Sequence, residues 1–478
     1  MSAALSSAVM SGSTGTSRGL RRSTVTCGTL PATRKWIQAP SHRSGAPRCM
    51  AMTQLDPRQA RTRYLILLAL RWVPSALLLP VLTLLPLDRG LTLSELGMAA
   101  AVQGLVVFVL ELPTGGISDA LGRRPVLVAS GVISLAGIAL ILVADSLALF
   151  AVAFAVQGLY KALDSGPLEA WYVDTVQAHD PDADISEGLA RGGTVAGIAI
   201  GGSALLAGGL VALDPLPSVD ALAVPVLLAA VLRAVSVLAT MSLLVEARQR
   251  SGWQATVRAV REVPGVIAGS LRLVRGSRIL QCLILIELCW GFGATAYESL
   301  TPVRLAEVID DAERAGAIMG PAAAAAWFVS AGGAALAPRL AQRIGIAGTA
   351  AATRLAQGLF VAAMGLSLGA AGVLVAFLAC YFVQGASSPM HMTLVHREIT
   401  EEHRATVVSL SSMAFQPAAA IGLVALTTVG ESASLAVAML VGGLIVAAAT
   451  PLYRPAYRAE RRRETAGDVE GPPADSVA

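Results

Sequence analysis

Long apolar segments constrain this chain more than any other feature of its sequence. A helix that crosses the hydrocarbon core of a bilayer needs about 20 mostly apolar residues. Six such segments precede a polar stretch and six follow it, which is typical of transporters built from two repeated bundles. They lie near 64–86, 93–117, 125–144, 147–171, 189–213, 221–244, 279–302, 315–337, 346–368, 371–395, 404–428 and 432–453. The sequence therefore predicts an all-α membrane protein with twelve transmembrane helices in two six-helix bundles.

The composition supports this fold class. Charged residues make up 14% of the 478 residues, against roughly 25% in soluble globular proteins. The segments divide the chain into five predicted parts: an N-terminal extension (1–58), an N-terminal bundle (59–244), a linker (245–278), a C-terminal bundle (279–453) and a cytoplasmic tail (454–478).

The N-terminal extension and the linker have distinct compositions. Residues 1–55 contain no Asp or Glu and many Ser and Arg. We expect this extension to be disordered, either because the start codon is assigned too far upstream or because it is an organellar transit peptide. The linker predicts an amphipathic helix on the membrane surface, with Trp253 and Val257 on one face and arginines around it. It either joins the bundles or senses lipid.

Loop charge predicts the orientation of the chain, because cytoplasmic loops carry an excess of Lys and Arg. With a cytoplasmic N-terminus, 29 of the 36 Lys and Arg residues fall on the cytoplasmic side. Only Arg89, Arg304 and Arg314 fall outside, and four lie within the spans. We expect both termini in the cytoplasm and a multi-pass protein of the plasma membrane, or of an organellar membrane if the extension is a transit peptide.

A short motif lies between the second and third spans, where the sequence reads Gly115-Gly-Ile-Ser-Asp119-Ala-Leu-Gly122-Arg123-Arg124. It resembles the major facilitator superfamily motif G-x-L-A-D-R-x-G-R-K, with Ala120 in place of an arginine. The resemblance implies a latch that holds the cytoplasmic side closed: Asp119 would cap the eleventh helix, and Arg123 would pair with Asp174 after the fourth span. The alternative is a positive loop that only sets orientation.

Two further motifs are similar to patterns of that superfamily. Glu111-Leu-Pro-Thr-Gly115 resembles a bacterial branch, and the fifth span resembles the antiporter motif G-x-x-x-G-P-x-x-G-G, with Ile198 replacing the proline. Phe154 stands where drug antiporters carry an arginine, which weakens that assignment. Glycines four residues apart favour close helix packing, so we predict this role for Gly193, Gly197, Gly201 and Gly202.

Ionisable side chains inside the spans are the candidates for a substrate or proton pathway, because each costs about 2.5–3.5 kcal/mol to insert. They are Arg71, Glu111, Lys161, Asp164, Glu169, Arg233, Glu287, Glu298, Arg354 and His391. The aromatic and amide candidates for lining a cavity are Trp72, Trp290, Tyr297, Trp327, Tyr381, Gln384 and Gln416.

Spacing along the helices suggests roles for some of these side chains. Lys161 and Asp164 are three residues apart and could pair. Arg71 could extend its side chain to the cytoplasmic interface. Glu287 and Glu298 share a face of the seventh span with Trp290. Burial suits Glu287 to proton coupling, and the alternative is a structural pair with Arg71, Arg233 or Arg354.

The sequence contains no Walker A motif, no hydrolase or zinc-protease motif and no Cys-x-x-Cys. We therefore expect no cofactor, no metal, no nucleic acid and no enzymatic activity. The expected partners are a small-molecule substrate, protons and the lipid bilayer, and we expect a monomer. The leading hypothesis is proton-coupled efflux of a drug or metabolite. The alternatives are import of a sugar, organic acid or peptide, and a non-transporting membrane enzyme or sensor.

Overall fold

The computed structural model describes residues 55–180, 183–246, 261, 265, 268, 269, 271–399 and 404–467. Within these ranges no side chain is described at 112, 113, 115, 116, 119, 120, 404–410, 412, 413 and 464–467. The N-terminal extension up to residue 54, the apolar face predicted around Trp253 and the end of the tail lie outside the described residues, so those predictions stay open.

Helices account for all regular structure in the described part of the chain. In the first half they are α1 (Pro57–Leu77), α2 (Leu84–Asp88), α3 (Leu93–Leu121), α4 (Arg123–Val143), α5 (Leu147–Asp164), α6 (Pro167–His179), α7 (Ser186–Leu213) and α8 (Val224–Leu243). In the second half they are α9 (Arg278–Glu298), α10 (Leu300–Ile309), α11 (Ala312–Ile344), α12 (Ile346–Leu366), α13 (Ala370–Arg397), α14 (Arg404–Ser432), α15 (Leu435–Ala448), a 3₁₀ turn (Thr450–Tyr453) and α16 (Arg454–Gly467).

Each of the twelve predicted segments is mainly helical, and the predicted all-α fold class is confirmed. Within the described residues, nine helices are long and apolar enough to cross a membrane. Four segments predicted as single helices are broken: the first ends at Leu77, the fourth at Asp164, the seventh at Glu298 and the twelfth at Ala448. The fourth breaks because Gly166 takes a positive φ of 91° and Pro167, which cannot donate a backbone hydrogen bond, starts a new helix.

The helices pack into two bundles. In the first, α3 and α4 pack on α5, α4 also packs on α8, and α1 packs on α7 and α8. In the second, α12 packs on α13 and α15, α11 on α13, and α9 on α14 and α15. Two helix pairs join the bundles: α3 with α14, and α7 with α11.

The two joining pairs make close contact near one end of the molecule. We name this end the arginine-poor side, since it carries the loops with Arg89, Arg304 and Arg314; the opposite end is the arginine-rich side. At the α3–α14 pair the backbone N–H of Ser94 donates to Glu431 over 2.7 Å, and a Cβ on Gly97 would lie 1.9 Å from the Thr427 hydroxyl oxygen. The bundles are therefore tightly closed on the arginine-poor side.

The second joining pair, α7 and α11, makes its tightest contact near the arginine-poor side. Where α7 crosses α11, a Cβ on Gly320 would lie 2.6 Å from the Gly208 Cα. Further along α7, toward the arginine-rich side, a Cβ on Gly193 or Gly197 would meet nothing within 4 Å. The close contact between α7 and α11 therefore lies near the arginine-poor side, and Gly193 and Gly197 take no part in it.

Candidate functional site

An ion-pair cluster lies inside the first bundle and centres on Arg71 of α1. Its Nε donates to the carboxylate of Asp164, and its Nη2 donates to the Asp164 backbone carbonyl over 2.5 Å. Its Nη1 contacts Glu169 at 3.2 Å. Arg71 thus bridges the break between α5 and α6, where Gly166 exposes backbone groups that a continuous helix would pair. The prediction that Arg71 extends to the interface is wrong, because these two carboxylates hold the guanidinium inside the bundle.

A second buried arginine continues this cluster. Arg233 of α8 is 2% exposed, and its Nη2 donates to the Ser75 hydroxyl over 2.7 Å and to the Tyr160 hydroxyl over 3.2 Å. Its guanidinium carbon lies 4.8 Å from the centre of the Tyr160 ring. Arg233 and Arg71 line one small cavity together with Ser130, Asp164 and Ser236. The face of the Tyr160 ring and the two hydroxyl groups therefore stabilise the charge of Arg233. Among the described residues, Arg233 makes no ion pair.

The second bundle contains a buried carboxylate–imidazole pair. Glu287 of α9 is 5% exposed and His391 of α13 is 1% exposed. The His391 Nε2 lies 3.1 Å from the Glu287 carboxylate, and its Nδ1 lies 2.8 Å from the Tyr453 hydroxyl. Glu287 therefore pairs with His391 rather than with any of the three predicted arginines. This chain of three side chains runs from α9 through α13 to the 3₁₀ turn after α15.

Arg354 of α12 lies beside this pair and is 1% exposed. Its guanidinium carbon lies 4.6 Å from the centre of the Trp290 ring, and its Nη1 donates to Gln357 over 2.7 Å. The Gln357 amide in turn donates to Gln384 over 3.4 Å. The core of the second bundle is therefore a connected polar network, not only an apolar contact surface.

Lys161 of α5 and Glu298 of α9 differ from the other charged side chains. Lys161 is exposed and Glu298 is half-buried. The predicted pairing of Lys161 with Asp164 is wrong, because Asp164 binds Arg71 instead. Glu111, the remaining acid of the list, is half-buried on α3.

The loop motif brings together part of the latch that the resemblance implies. Arg123 Nη1 lies 2.6 Å from the Asp174 carboxylate, within the first bundle. Gly122 has a φ of 94°, which a residue with a side chain would adopt only with strain. The side chain of Asp119 is not described, so its capping role stays a prediction, as does the role of Gly115. Arg124 donates to the backbone carbonyl of Met241 over 2.5 Å.

Two glutamates that the sequence did not single out cap the same helix position in each bundle. Glu246, after α8, accepts from the backbone N–H groups of Arg123 and Arg124 over 2.7 and 3.1 Å. Glu460 of α16 accepts from those of Ile346 and Ala347 over 3.1 and 2.9 Å. Carboxylates stabilise helix N-termini, where four backbone donors lack partners. In each bundle, the chain after the sixth membrane span therefore binds the start of the third span, which is α4 in the first bundle and α12 in the second.

The four glycines of the antiporter-like motif behave differently from the prediction. Only Gly201 approaches the other bundle, where a Cβ would lie 3.9 Å from the Phe328 ring. For Gly193, Gly197 and Gly202 a Cβ would meet no atom within 4 Å, so the predicted packing role is wrong for them in this conformation. The close approach is made by Gly208, nearly two turns beyond the end of the motif.

The sequence identified most of the charged side chains but few of their partners. The side chains it missed include Ser75, Tyr160, Glu246, Gln357, Tyr453 and Glu460. Ser and Tyr in an apolar span carry no distinctive signal, and the two glutamates lie in charged segments after the sixth and twelfth spans. No group of three or more His, Cys, Asp or Glu side chains able to hold a metal ion occurs in the described ranges.

Comparisons with known proteins agree with this architecture. The family model described as Major Facilitator Superfamily matches residues 64–423. A search of curated proteins gives no match. Among solved structures, the nucleoside transporter NupG is similar with a TM-score of 0.67 and 14% identity, over 84% of this chain and 98% of that one. A POT family transporter in complex with a thioalcohol-conjugated peptide has a TM-score of 0.62 and 14% identity, over 84% and 96%.

The human organic anion transporter MFSD10 (TETRAN) is similar with a TM-score of 0.55 and 17% identity, over 84% of this chain and 100% of that one. At these identities the three structures establish the fold and not the substrate.

Proposed function

This chain belongs to the Major Facilitator Superfamily and is therefore a secondary transporter, and from this premise we propose that it couples export of a small drug or metabolite to proton entry. The observation that carries the proton coupling is the buried pair of Glu287 and His391, whose reacting atoms lie 3.1 Å apart. The branch-specific motifs and the direction of transport form part of the same proposal.

The pair suits proton exchange for a physical reason. A carboxylate and an imidazole in a low-dielectric interior attract each other strongly when both are charged, and lose that attraction when Glu287 takes up a proton. Because Glu287 lies on α9 and His391 on α13, protonation weakens one contact between two helices of the bundle. The Tyr453 hydroxyl, bonded to the other imidazole nitrogen, offers a second group through which the proton can move.

The contacts between the bundles support alternating access. With the orientation that loop charge predicts, the closed arginine-poor side faces outward, and Gly193 and Gly197 of α7, which make no close contact, lie toward the cytoplasm. The described conformation would then be the inward-facing state. Transport requires that the two bundles rock about the site between them, so the contacts at Gly97 and Gly208 must part while the arginine-rich ends of α7 and α11 approach.

Export, rather than import, is favoured by the sequence of α7. Its glycines at 193, 197, 201 and 202 follow the antiporter pattern apart from Ile198. In the inward-facing state Gly193 and Gly197 are free of contact, and small residues there would let α7 approach a neighbouring helix when the cytoplasmic side closes. Because Ile198 replaces the proline, α7 would approach its neighbour without the helix kink that the proline of that motif usually causes.

The proposal is tested with purified protein in liposomes that contain the pH dye pyranine. A panel of antibiotics and small metabolites is added in turn, and we expect at least one compound to move protons opposite to its own movement. In Glu287→Gln, that compound should still exchange across the membrane in a counterflow assay, while its accumulation no longer responds to the pH gradient.

The matched control is Glu313→Gln, which removes an exposed carboxylate from α11 and should leave both measurements unchanged. Accumulation that follows the pH gradient in Glu287→Gln would contradict the coupling role of this pair. Proton and solute movement in the same direction would establish import in place of export. Everted and right-side-out vesicles compare the two directions under one gradient.

A further inference from the structure

Exposed arginines flank the second bundle on the arginine-rich side. Arg272, Arg275 and Arg278 precede or begin α9, and Arg454 and Arg458 belong to the first turns of α16. All five side chains are exposed, and none of them makes an ion pair with another side chain in the described ranges. We call these five side chains the basic surface.

The two segments that carry the basic surface pack against each other. Leu273 and Ile279, which alternate with the first three arginines, belong to the same apolar cluster as Tyr453 and Ala456, which flank Arg454. Ile279 and Ala456 also line one small crevice at this end of the bundle. The basic surface is therefore a single patch, although its two segments lie on opposite sides of the second bundle in the sequence.

Contacts at two points fix the direction of α16. Just before its start, the Tyr453 hydroxyl lies 2.8 Å from the His391 ring on α13. About two turns later, Glu460 accepts from the backbone N–H groups of Ile346 and Ala347, where α12 begins. Because a membrane span begins at the interface, this contact keeps Glu460 at the level of the headgroups. Helix α16 therefore runs along the end of the bundle and not away from it.

Apolar side chains are exposed beside the arginines. Tyr457 of α16 is 39% exposed and Leu271 is 41% exposed. The guanidinium carbon of Arg461 lies 5.6 Å from the centre of the Tyr457 ring. Exposed aromatic and aliphatic side chains among arginines are typical of segments that lie in the headgroup region of a bilayer. This combination favours a lipid as the partner of the basic surface over a soluble anion.

The first bundle differs on the same side of the molecule. Its arginines there mostly donate to an acid or to a backbone carbonyl of their own bundle, as do Arg61, Arg63, Arg123, Arg124 and Arg191. A positive charge that only orients the chain would not require this difference between the bundles. The second bundle therefore keeps guanidinium groups available for a partner outside the protein.

We propose that the basic surface binds anionic phospholipids of the leaflet that it faces, through ion pairs between its guanidinium groups and the lipid phosphates. Guanidinium groups bind phosphate oxygens in pairs, and arginine clusters next to a membrane span attract anionic lipids. Because Glu460 on the same helix caps α12, a lipid bound to α16 stabilises the second bundle. This site lies apart from the buried pair of Glu287 and His391 and does not depend on the transported solute.

The experiment titrates the purified full chain, in a nonionic detergent, with dioleoyl phosphatidylglycerol or with dioleoyl phosphatidylcholine. Affinity is obtained from the rise in unfolding temperature, because a ligand that binds only the folded protein stabilises it. We expect the anionic lipid to bind more tightly by about tenfold or more. Glycerol 3-phosphate, which carries the charge without acyl chains, should give no rise and so separates a lipid from a free phosphate.

Paired substitutions test the named arginines. Each arginine near an anionic surface strengthens binding roughly fivefold, so Arg454→Gln with Arg458→Gln should weaken phosphatidylglycerol binding roughly 25-fold. Arg454→Lys with Arg458→Lys keeps the charge and should retain most of the affinity. The matched control is Arg58→Gln with Arg191→Gln, which removes two exposed arginines from the first bundle and should leave the affinity unchanged.

A second measurement uses the unsubstituted protein and does not depend on how a variant folds. Phosphatidylglycerol with a photoactivatable headgroup is incorporated into liposomes with the full chain, and the labelled peptides are identified by mass spectrometry. We expect labelling to concentrate at residues 271–278 and 454–463. Equal stabilisation by the two lipids, equal loss of affinity in the two glutamine variants, or labelling spread evenly over the arginine-rich side would overturn the inference.

Discussion

Substitution of Gly320 by alanine should shift this transporter from the described conformation to the opposite one. Gly320 lies where α11 crosses α7 on the arginine-poor side. A Cβ there would lie 2.5 Å from the Ala204 backbone oxygen and 2.6 Å from the Gly208 Cα. Both neighbours are backbone atoms, which cannot rotate away as a side chain can. The two helices must therefore move apart by about 1 Å to reach ordinary contact distance.

The size of the shift follows from the cost of overpacking. Inserting an extra methyl group into a tight contact costs about 1–3 kcal/mol. This cost applies only to the conformation in which α7 and α11 touch at this point, because the opposite conformation separates them there. A differential cost of this size changes the ratio of the two conformations by roughly 5- to 150-fold. The better helix propensity of alanine acts on both conformations and cancels.

Distances between pairs of spin labels measure this ratio. One pair, at Leu213 and Arg314, reports the arginine-poor side, and another, at Arg191 and Arg339, reports the arginine-rich side. In Gly320→Ala the first distance should lengthen and the second should shorten.

The matched control is Gly202→Ala on α7, where a Cβ meets nothing within 4 Å and both distances should match the unsubstituted protein. A Gly320→Ala protein with wild-type distances on both sides would refute the assignment of this contact as a gate.

Three further outcomes follow from the polar contacts. Glu246→Gln removes the charge that caps α4 and should cost about 1 kcal/mol of unfolding free energy; a thermal unfolding midpoint equal to that of the unsubstituted protein would contradict the cap. Hydrogen bonds from Ser94 lower the pKa of Glu431, so its contribution to closure is fully present above the ordinary glutamate pKa and is lost as pH falls through the lowered value; spin-label distances followed as the pH is lowered should show opening there, and Glu431→Gln should give a flat profile. Arg71→Gln leaves buried carboxylates unpaired and should cost about 3–5 kcal/mol, whereas an unchanged melting temperature would show that the cluster is not needed for folding.

The sequence alone was sufficient for the fold because membrane helices are set by local composition. Twenty apolar residues must form a helix in lipid, since the backbone has no water to bind, and this requirement holds for each segment separately. The breaks within helices were harder to predict. Ser165-Gly166-Pro167 contains the residues that break a helix, but the flanking apolar residues concealed the break at the level of hydropathy.

The partners of the charged side chains could not be predicted, because they depend on how helices distant in sequence are rotated against one another. Arg71 and Asp164 are separated by more than 90 positions, and no periodicity relates them. Spacing within one helix favoured the pairing of Lys161 with Asp164. The guanidinium of Arg71 donates to both the carboxylate and the backbone carbonyl of Asp164, so it competes better for that residue than an ammonium group three residues away. Tertiary geometry therefore decided the network.

The distribution of strong and weak contacts explains why such a molecule can move as two bodies. Within each bundle, charged caps at Glu246 and Glu460 and the buried network around His391 fix helices to one another with directional bonds. Between the bundles, the described contacts are mainly glycine against backbone or against a small side chain, as at Gly97 and Gly208. These contacts lose dispersion energy when they part, but they leave few buried polar groups without partners. Because the bonds that would be costly to break lie inside the bundles, the interface between them can open at a cost that binding of one solute or one proton is able to offset.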